Sequence, residues 1–336
     1  MPSIRLQLNP SSYPPTHLPT YPPTHLPIHP PTHPPTYPPT HPPSMPTPEI
    51  QWYPGHIAKA EKALLEQLKR VDVVLEVRDA RIPLATHHPQ MQDWAGEKGR
   101  VLVLNRVDMI SAEARDAWEN WFRDQGERPV FTNAQQGKGV KAIAKVAQAA
   151  GESVNERRKA RGMKPRPIRA VVIGFPNVGK SALINRLLNR KVVESARRAG
   201  VTRQLRWVRM SGELDLLDAP GVIPARLDNQ DAALKLAICD DIGEAAYDTQ
   251  RIAAKFLDLL KELQARRPDG TYDQTLQARY GLDLSDTTGE GFLSELAALK
   301  FQDDLERTAQ RVLNDFRMGL LGQWALEWPE EISVEA

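Results

Sequence analysis

Gly174-Phe175-Pro176-Asn177-Val178-Gly179-Lys180-Ser181 fits G-x-x-x-x-G-K-[ST], the spacing of a phosphate-cradling loop. In such a loop the main-chain N–H groups of Val178, Gly179, Lys180, Ser181 and Ala182 sit at the positive end of a helix and face phosphate oxygens. Lys180 would neutralise the β- and γ-oxygens, and the Ser181 hydroxyl would ligate Mg²⁺. The loop needs a strand before it and a helix after it. Ile168 to Ile173 is an apolar run of strand length, and Ala182, Leu183, Ile184, Leu187 and Leu188 recur at helical spacing. A glycine-rich turn that binds nothing is the competing reading, and Gly, Lys and Ser all in register argue against it.

Three further clusters suit a nucleotide. Asn105-Arg106-Val107-Asp108 follows the apolar run Val101 to Leu104 and matches N-K-x-D, with Arg106 where lysine is usual. A carboxylate at Asp108 accepts from guanine N1–H and its 2-amino group, which adenine cannot supply, and a site built for that pair rejects the analogue lacking it. Asn105 would brace the base edge or neighbouring loops, and Arg106 would lie along the ring. Thr132-Asn133-Ala134, after the short strand Pro129 to Thr132, takes the place of a second base-contacting loop, acting mainly through its backbone. Beyond the phosphate loop, Thr202 in a polar, basic and aperiodic stretch (Lys191 to Arg203) is placed to ligate Mg²⁺ and sense a γ-phosphate, as a mobile switch would. Asp218-Ala219-Pro220-Gly221 is D-x-x-G: Asp218 would hold Mg²⁺ through water and the Gly221 N–H would reach the γ-phosphate.

The order of these segments is unusual, because the base-reading pair precedes the phosphate loop and both switches. Closing the domain requires a circular permutation, which is tolerated where termini lie close together at a surface. With apolar runs at Val71 to Val77, Leu205 to Met210 and Leu214 to Leu217 added, the expected fold is α/β. It is a circularly permuted P-loop GTPase domain with a six-stranded, mainly parallel sheet, followed by an all-helical C-terminal domain. The expected boundaries are a Pro/Thr/His-rich tail over 1–47, the nucleotide domain over 48–225 and the helical domain over 226–330. The charged turn Arg78 to Pro83 closes the Val71 strand at its carboxyl end, where open α/β sheets place ligands. Asn155 to Pro167 reads as a basic, Gly- and Pro-punctuated linker whose cations suit either solvent or a phosphate backbone. Helical patterns run over Ala232 to Ile242, Ala245 to Ala265, Leu293 to Lys300 and Leu305 to Phe316, with breaks at Pro268, Gly270, Gly281 and Gly289.

Composition bounds the rest. The 336 residues are 41% hydrophobic with formal net charge +2, so nucleic-acid binding would have to come from local patches. Cys239, the single cysteine, excludes an internal disulfide and reads as a small buried hydrophobe. No apolar run reaches the length of a membrane span, and a cytoplasmic protein is expected. Residues 13–44 are four proline-rich octads that cannot form helix or central strand, so an extended, disordered tail is expected. Met45, directly after the last octad, is expected to be the natural start.

Hydrolysis needs a water-orienting group. The position after Gly221 holds Val222, which cannot orient water, so that group must come from elsewhere. Asn177 offers an amide oxygen to a monovalent cation near the β/γ bridge. His56, in Trp52-Tyr53-Pro54-Gly55-His56 at a helix entry, has a side chain suited to acid–base or water-orienting work, though a lone histidine is more often structural.

The permuted order, Trp52 to His56, Gly174 to Ser181, Asp218 to Gly221 and a helical tail carrying Asp315-Phe316-Arg317-Met318-Gly319 and Leu320-Leu321-Gly322 resemble the YlqF/RbgA family of ribosome biogenesis GTPases over roughly Ile50 to Glu327. The resemblance implies GTP hydrolysis coupled to late assembly of the large ribosomal subunit, Mg²⁺ and K⁺ as cofactors, and helical contact with ribosomal RNA. It also implies a monomer off the ribosome, no membrane, and His56 and Lys180 as catalytic groups. Arg106 and the octads depart from the family pattern. A GTP-regulated RNA-binding scaffold with negligible turnover and a small-subunit assembly GTPase are the alternatives. The second would need an N-terminal barrel and a zinc site, and neither is visible.

Overall fold

The computed structural model describes residues 50, 55–189, 206–211, 214–218, 222–224, 229–267 and 272–330. The octads, Thr202, Gly221 and the side chains of His56 and Asp218 lie outside the described residues, so the expectations that rest on them carry no geometry.

β1 (Val73–Asp79), β2 (Gly99–Asn105), β3 (Val130–Thr132), β4 (Ile168–Ile173), β5 (Arg206–Ser211) and β6 (Leu214–Asp218) form one sheet in the order β3-β2-β1-β4-β6-β5. Every pairing is parallel except β5 with β6, which is antiparallel at the edge. The sheet is therefore the expected six-stranded, mainly parallel one. Strands buried on both faces carry continuous apolar runs, and Val73 to Leu75 of β1, Val101 to Leu104 of β2 and Ala170 to Ile173 of β4 are such runs. β1 pairs with both β2 and β4, Val73 meeting Gly99 on one side and Ala170 on the other. The base-reading and phosphate-binding halves thus meet at the centre of the sheet.

α1 (Gly55–Leu68) and α2 (Met91–Ala95) cover one face, where Leu64, Leu68, Met91 and Trp94 pack on Val74, Val171, Ile173 and Leu217. α3 (Ala112–Asp124), α4 (Val140–Ala160) and α5 (Lys180–Leu187) belong to the larger core around Val73, Leu75, Val77 and Val103. Trp118 and Phe122 fill that core. Val146 does not: it is exposed, and Ala147 takes the buried position on α4.

The expected linker from Asn155 is half helix. α4 continues to Ala160 because Glu, Arg, Lys and Ala are good helix formers, and the chain turns only at Gly162. The helical region comprises α6 (Gln230–Cys239), α7 (Thr249–Arg266), α8 (Tyr272–Tyr280), α9 (Gly289–Lys300) and α10 (Leu305–Arg317). α7, α9 and α10 pack on one another through Phe256, Phe292 and Phe316. α8 escapes pattern reading because, among its described side chains, Leu276 and Tyr280 bring it into the core. Gly289 opens α9 rather than breaking the chain, with Thr288 capping.

Candidate nucleotide-binding site

Asn105 ends β2 and is buried among three loops. Its Oδ1 accepts from the Thr132 hydroxyl at 3.1 Å and from the Ala134 N–H at 3.0 Å, while its Nδ2 donates to the Val178 carbonyl at 2.8 Å. One amide therefore ties both base-reading segments to the phosphate loop. Gly179 shows how tight the junction is. Its φ is +101°, and a Cβ there would stand 2.2 Å from Asn105 Nδ2, so only glycine fits.

Arg106 adopts φ +65° and turns its guanidinium back into the site. Nη2 donates to the Asn177 carbonyl at 2.7 Å, and Nε lies 3.3 Å from Asp79 Oδ2. Arginine at this position thus bridges the phosphate loop and the β1 turn, two contacts that a lysine ammonium could not make from a planar fork. Asp108 sits in a short 3₁₀ turn with its side chain exposed, and its carbonyl accepts from Gln323 Nε2 at 3.1 Å. Thr132 and Asn133 are buried. Asn133 Oδ1 accepts from the Gln136 N–H, while Nδ2 is a buried donor with no partner.

In the phosphate loop, Lys180 donates to the carbonyls of Gly174 and Phe175 at 3.1 and 2.6 Å. Val178 is fully buried, and Ser181 and Ala182 are half-buried at the start of α5. Asn177 stands in the left-handed region at φ +56°, and its Nδ2 donates to the Asp240 carbonyl at 2.6 Å, just past α6.

The end of α6 is a junction that sequence reading missed. A helix leaves its last four carbonyls without intrahelical partners. Here Ala237 and Ile238 accept from Arg317 of α10, Cys239 accepts from Arg81, and Asp240 accepts from Asn177. Arg81 itself grips Asp79 through two bonds of 3.0 and 2.7 Å, and both side chains are fully buried. The charged turn after β1 therefore faces the protein body rather than solvent. Burial raises the Asp79 pKa, but the Arg81 and Arg106 charges outweigh it and hold the carboxyl below its ordinary range. Asp241 is the reverse case. Burial and the Asp79 charge push its pKa well up, and neither of its oxygens has a hydrogen-bond partner.

His88 was also missed. Its ring lies 4.2 Å from Trp94 and 6.4 Å from Phe175 of the phosphate loop. Nδ1 accepts from the Gln90 N–H at 3.2 Å, which leaves the proton on Nε2, and the nearby main chain of Ile223 favours the protonated ring. The adjoining Val222 N–H donates to the Gly174 carbonyl at 3.1 Å. The segment directly after D-x-x-G is thus fastened to the phosphate loop, with His88 beside it. No local pattern marks a histidine whose neighbour is a main chain 135 residues away.

Residues 169–268 match the family model described as "50S ribosome-binding GTPase". Ribosome biogenesis GTPase A of Bacillus cereus is 34% identical over 296 residues, spanning 85% of this chain and 96% of that protein. The chain belongs to the ribosome biogenesis GTPase A (YlqF/RbgA) family. The Thermotoga maritima member is 26% identical over 284 residues, spanning 84% of this chain and 96% of its own length. The GNP-bound structure of T. maritima YlqF superposes with a TM-score of 0.54 at 23% identity, covering 81% of this chain and 99% of that one. The GDP-bound form gives 0.55 at 23% identity, covering 79% and 98%. These structures share the family fold, including the permuted sheet and the helical region.

Proposed function

We propose that this chain is a GTPase that binds and hydrolyses GTP during late assembly of the large ribosomal subunit. The observation that carries the reading is the Asn105 junction, which joins a guanine-type base loop to a phosphate loop through one buried amide. Family membership supports the same activity.

In this reading Asp108 accepts from the guanine edge and the unpartnered Asn133 Nδ2 donates to the base carbonyl. The amides of Val178 to Ala182 take the phosphates, and Lys180 turns its ammonium from loop carbonyls to the β/γ oxygens. Ser181, Thr202 and Asp218 are hard oxygen donors that would hold Mg²⁺, and Asn177 Oδ1 would face K⁺. When bound, these cations neutralise charge on the transferred phosphoryl group. Val222 is buried and cannot orient water, which leaves that role to His56 in the ribosome-bound state. The helical region would meet ribosomal RNA through exposed cations such as Lys300 and Arg307. No described helix is long and apolar enough to cross a membrane, and we place the protein in the cytoplasm as a monomer when off the ribosome.

Measuring GTP turnover with and without immature large subunits tests the proposal. Stimulation is expected, and His56→Ala should lose it while still binding GTP. Equal turnover with and without particles would defeat the coupling.

A further inference from the structure

Thirteen residues from Arg157 to Arg169 hold seven cations and no carboxylate. Arg157, Lys159, Arg161 and Lys164 are exposed, and among the described residues none of the four pairs with a carboxylate. The helical region differs. Its Arg279 and Arg311 are held by Asp315, Arg267 by Glu113 and Glu330, and Arg317 by the end of α6. Lys300 and Arg307 remain exposed there, but at the end of α4 four such cations lie within the eight residues from Arg157 to Lys164.

That segment is built, not loose. Gly162 at φ +69° reverses the chain, its N–H donating to the Lys159 carbonyl, while the Met163 N–H donates to the Arg158 carbonyl, both at 2.9 Å. This is a helix-ending motif that fixes the return loop. Arg158 Nε then donates to the Lys164 carbonyl, Asn155 exchanges two bonds with the Arg166 backbone, and Arg166 grips Asp72 at 2.7 and 2.9 Å. Lys164 is thereby held beside the last turn of α4. The loop feeds the amino end of β4, whereas the phosphate loop leaves its carboxyl end, so a strand of six residues puts about 20 Å between them.

We propose that the end of α4 and its return loop form a docking surface for the sugar–phosphate backbone of RNA, at the end of β4 away from the nucleotide. The proposal rests on the assignment of the chain to ribosome assembly, which supplies the RNA. A fixed array of cations neutralises phosphates and releases their counterions, giving salt-dependent affinity without sequence readout. RNA fits better than a lipid surface, because Met163 is the only large exposed apolar side chain among residues 157–166, and a membrane-surface helix needs a continuous apolar face.

The test uses the full chain and a variant carrying Arg157→Gln, Lys159→Gln, Arg161→Gln and Lys164→Gln, which keeps the helix formers. Binding to purified immature large subunits is measured across a KCl series with a non-hydrolysable GTP analogue, alongside GTP affinity and binding to phosphatidylglycerol vesicles. The variant should bind particles at least about tenfold more weakly with a salt slope shallower by about 3, GTP affinity being unchanged. An unchanged slope would overturn the surface, as would wild-type binding to vesicles as tight as to particles. Wild-type protein that binds no particles would overturn the ribosome-assembly reading itself, a result visible without any variant.

Discussion

The side-chain amide of Asn177 donates to the main-chain carbonyl of Asp240 at 2.6 Å, so the phosphate loop is bonded directly to the end of the first helix beyond the sheet. That carbonyl is the last of four taken by Arg317, Arg81 and Asn177, and a shift in the loop must be felt along α6 and α10.

Asn177→Ala should weaken GTP binding about fivefold, the worth of one net hydrogen bond, and abolish any advantage of K⁺ over Na⁺ in turnover. Alanine also strains at φ +56°, so Asn177→Gly is the control that removes the backbone cost. Nucleotide titration and initial rates in the two salts check both expectations. A retained K⁺ preference in either variant rules out the amide as a cation ligand.

His88 offers a kinetic and a thermodynamic readout. Losing the ring packed beside Trp94, Phe175 and the segment after D-x-x-G in His88→Ala should lower turnover about fivefold with GTP affinity nearly unchanged, and His88→Gln, which keeps part of that bulk, should recover part of the loss. Burial depresses the His88 pKa from 6.5 to about 4, with the neighbouring His87 contributing. The unfolded chain therefore binds more protons than the folded one between those values. Stability should fall as pH drops from 6.5 towards 4, with His88 accounting for about 3 kcal/mol over the full window. Urea midpoints at pH 7 and 5 should differ less in His88→Gln than in wild type.

Asp241 has the opposite sign. A carboxyl whose folded pKa is raised favours the protonated protein, so its contribution is complete at low pH and is lost as pH rises above the ordinary aspartate value. Asp241→Asn removes the ionisation while keeping the shape, and should stabilise the protein at pH 8 by about 1–3 kcal/mol while flattening the pH dependence. Equal urea midpoints for the variant and wild type at pH 8 would show that the carboxyl is not held neutral.

Legibility followed the range of the interactions. The phosphate loop and Asn105-Arg106-Val107-Asp108 could be read because their chemistry lies within eight residues and between elements of clear periodicity. The permuted sheet could be read because β1, β2 and β4 each carry a run of at least three consecutive apolar residues, Val73 to Leu75, Val101 to Leu104 and Ala170 to Ile173. Arg81 could not be placed, since its partners are Asp79 two residues away and Cys239 at a separation of 158, and a charged turn after a strand looks the same whether it faces ligand or core. α4 was cut short because Arg157 to Arg161 reads as linker by charge but is helical by propensity. Asp241 gave no signal at all, because an orphaned carboxyl exists only once the surrounding elements have packed.

The chain's last described turn bears on how it is made. The Leu326 N–H donates to the Arg81 carbonyl, and the Glu327 carboxylate receives the N–H groups of Leu84 and Ala85. Polypeptide emerges at about 5–20 residues per second, so the turn after β1 waits on the order of 12–50 s for these partners. Vectorial synthesis thus leaves the support beneath the nucleotide loops unfinished until Leu326 and Glu327 have been made. A polypeptide stalled before Leu326 would carry every phosphate- and base-reading residue and still lack the strap that holds them in register.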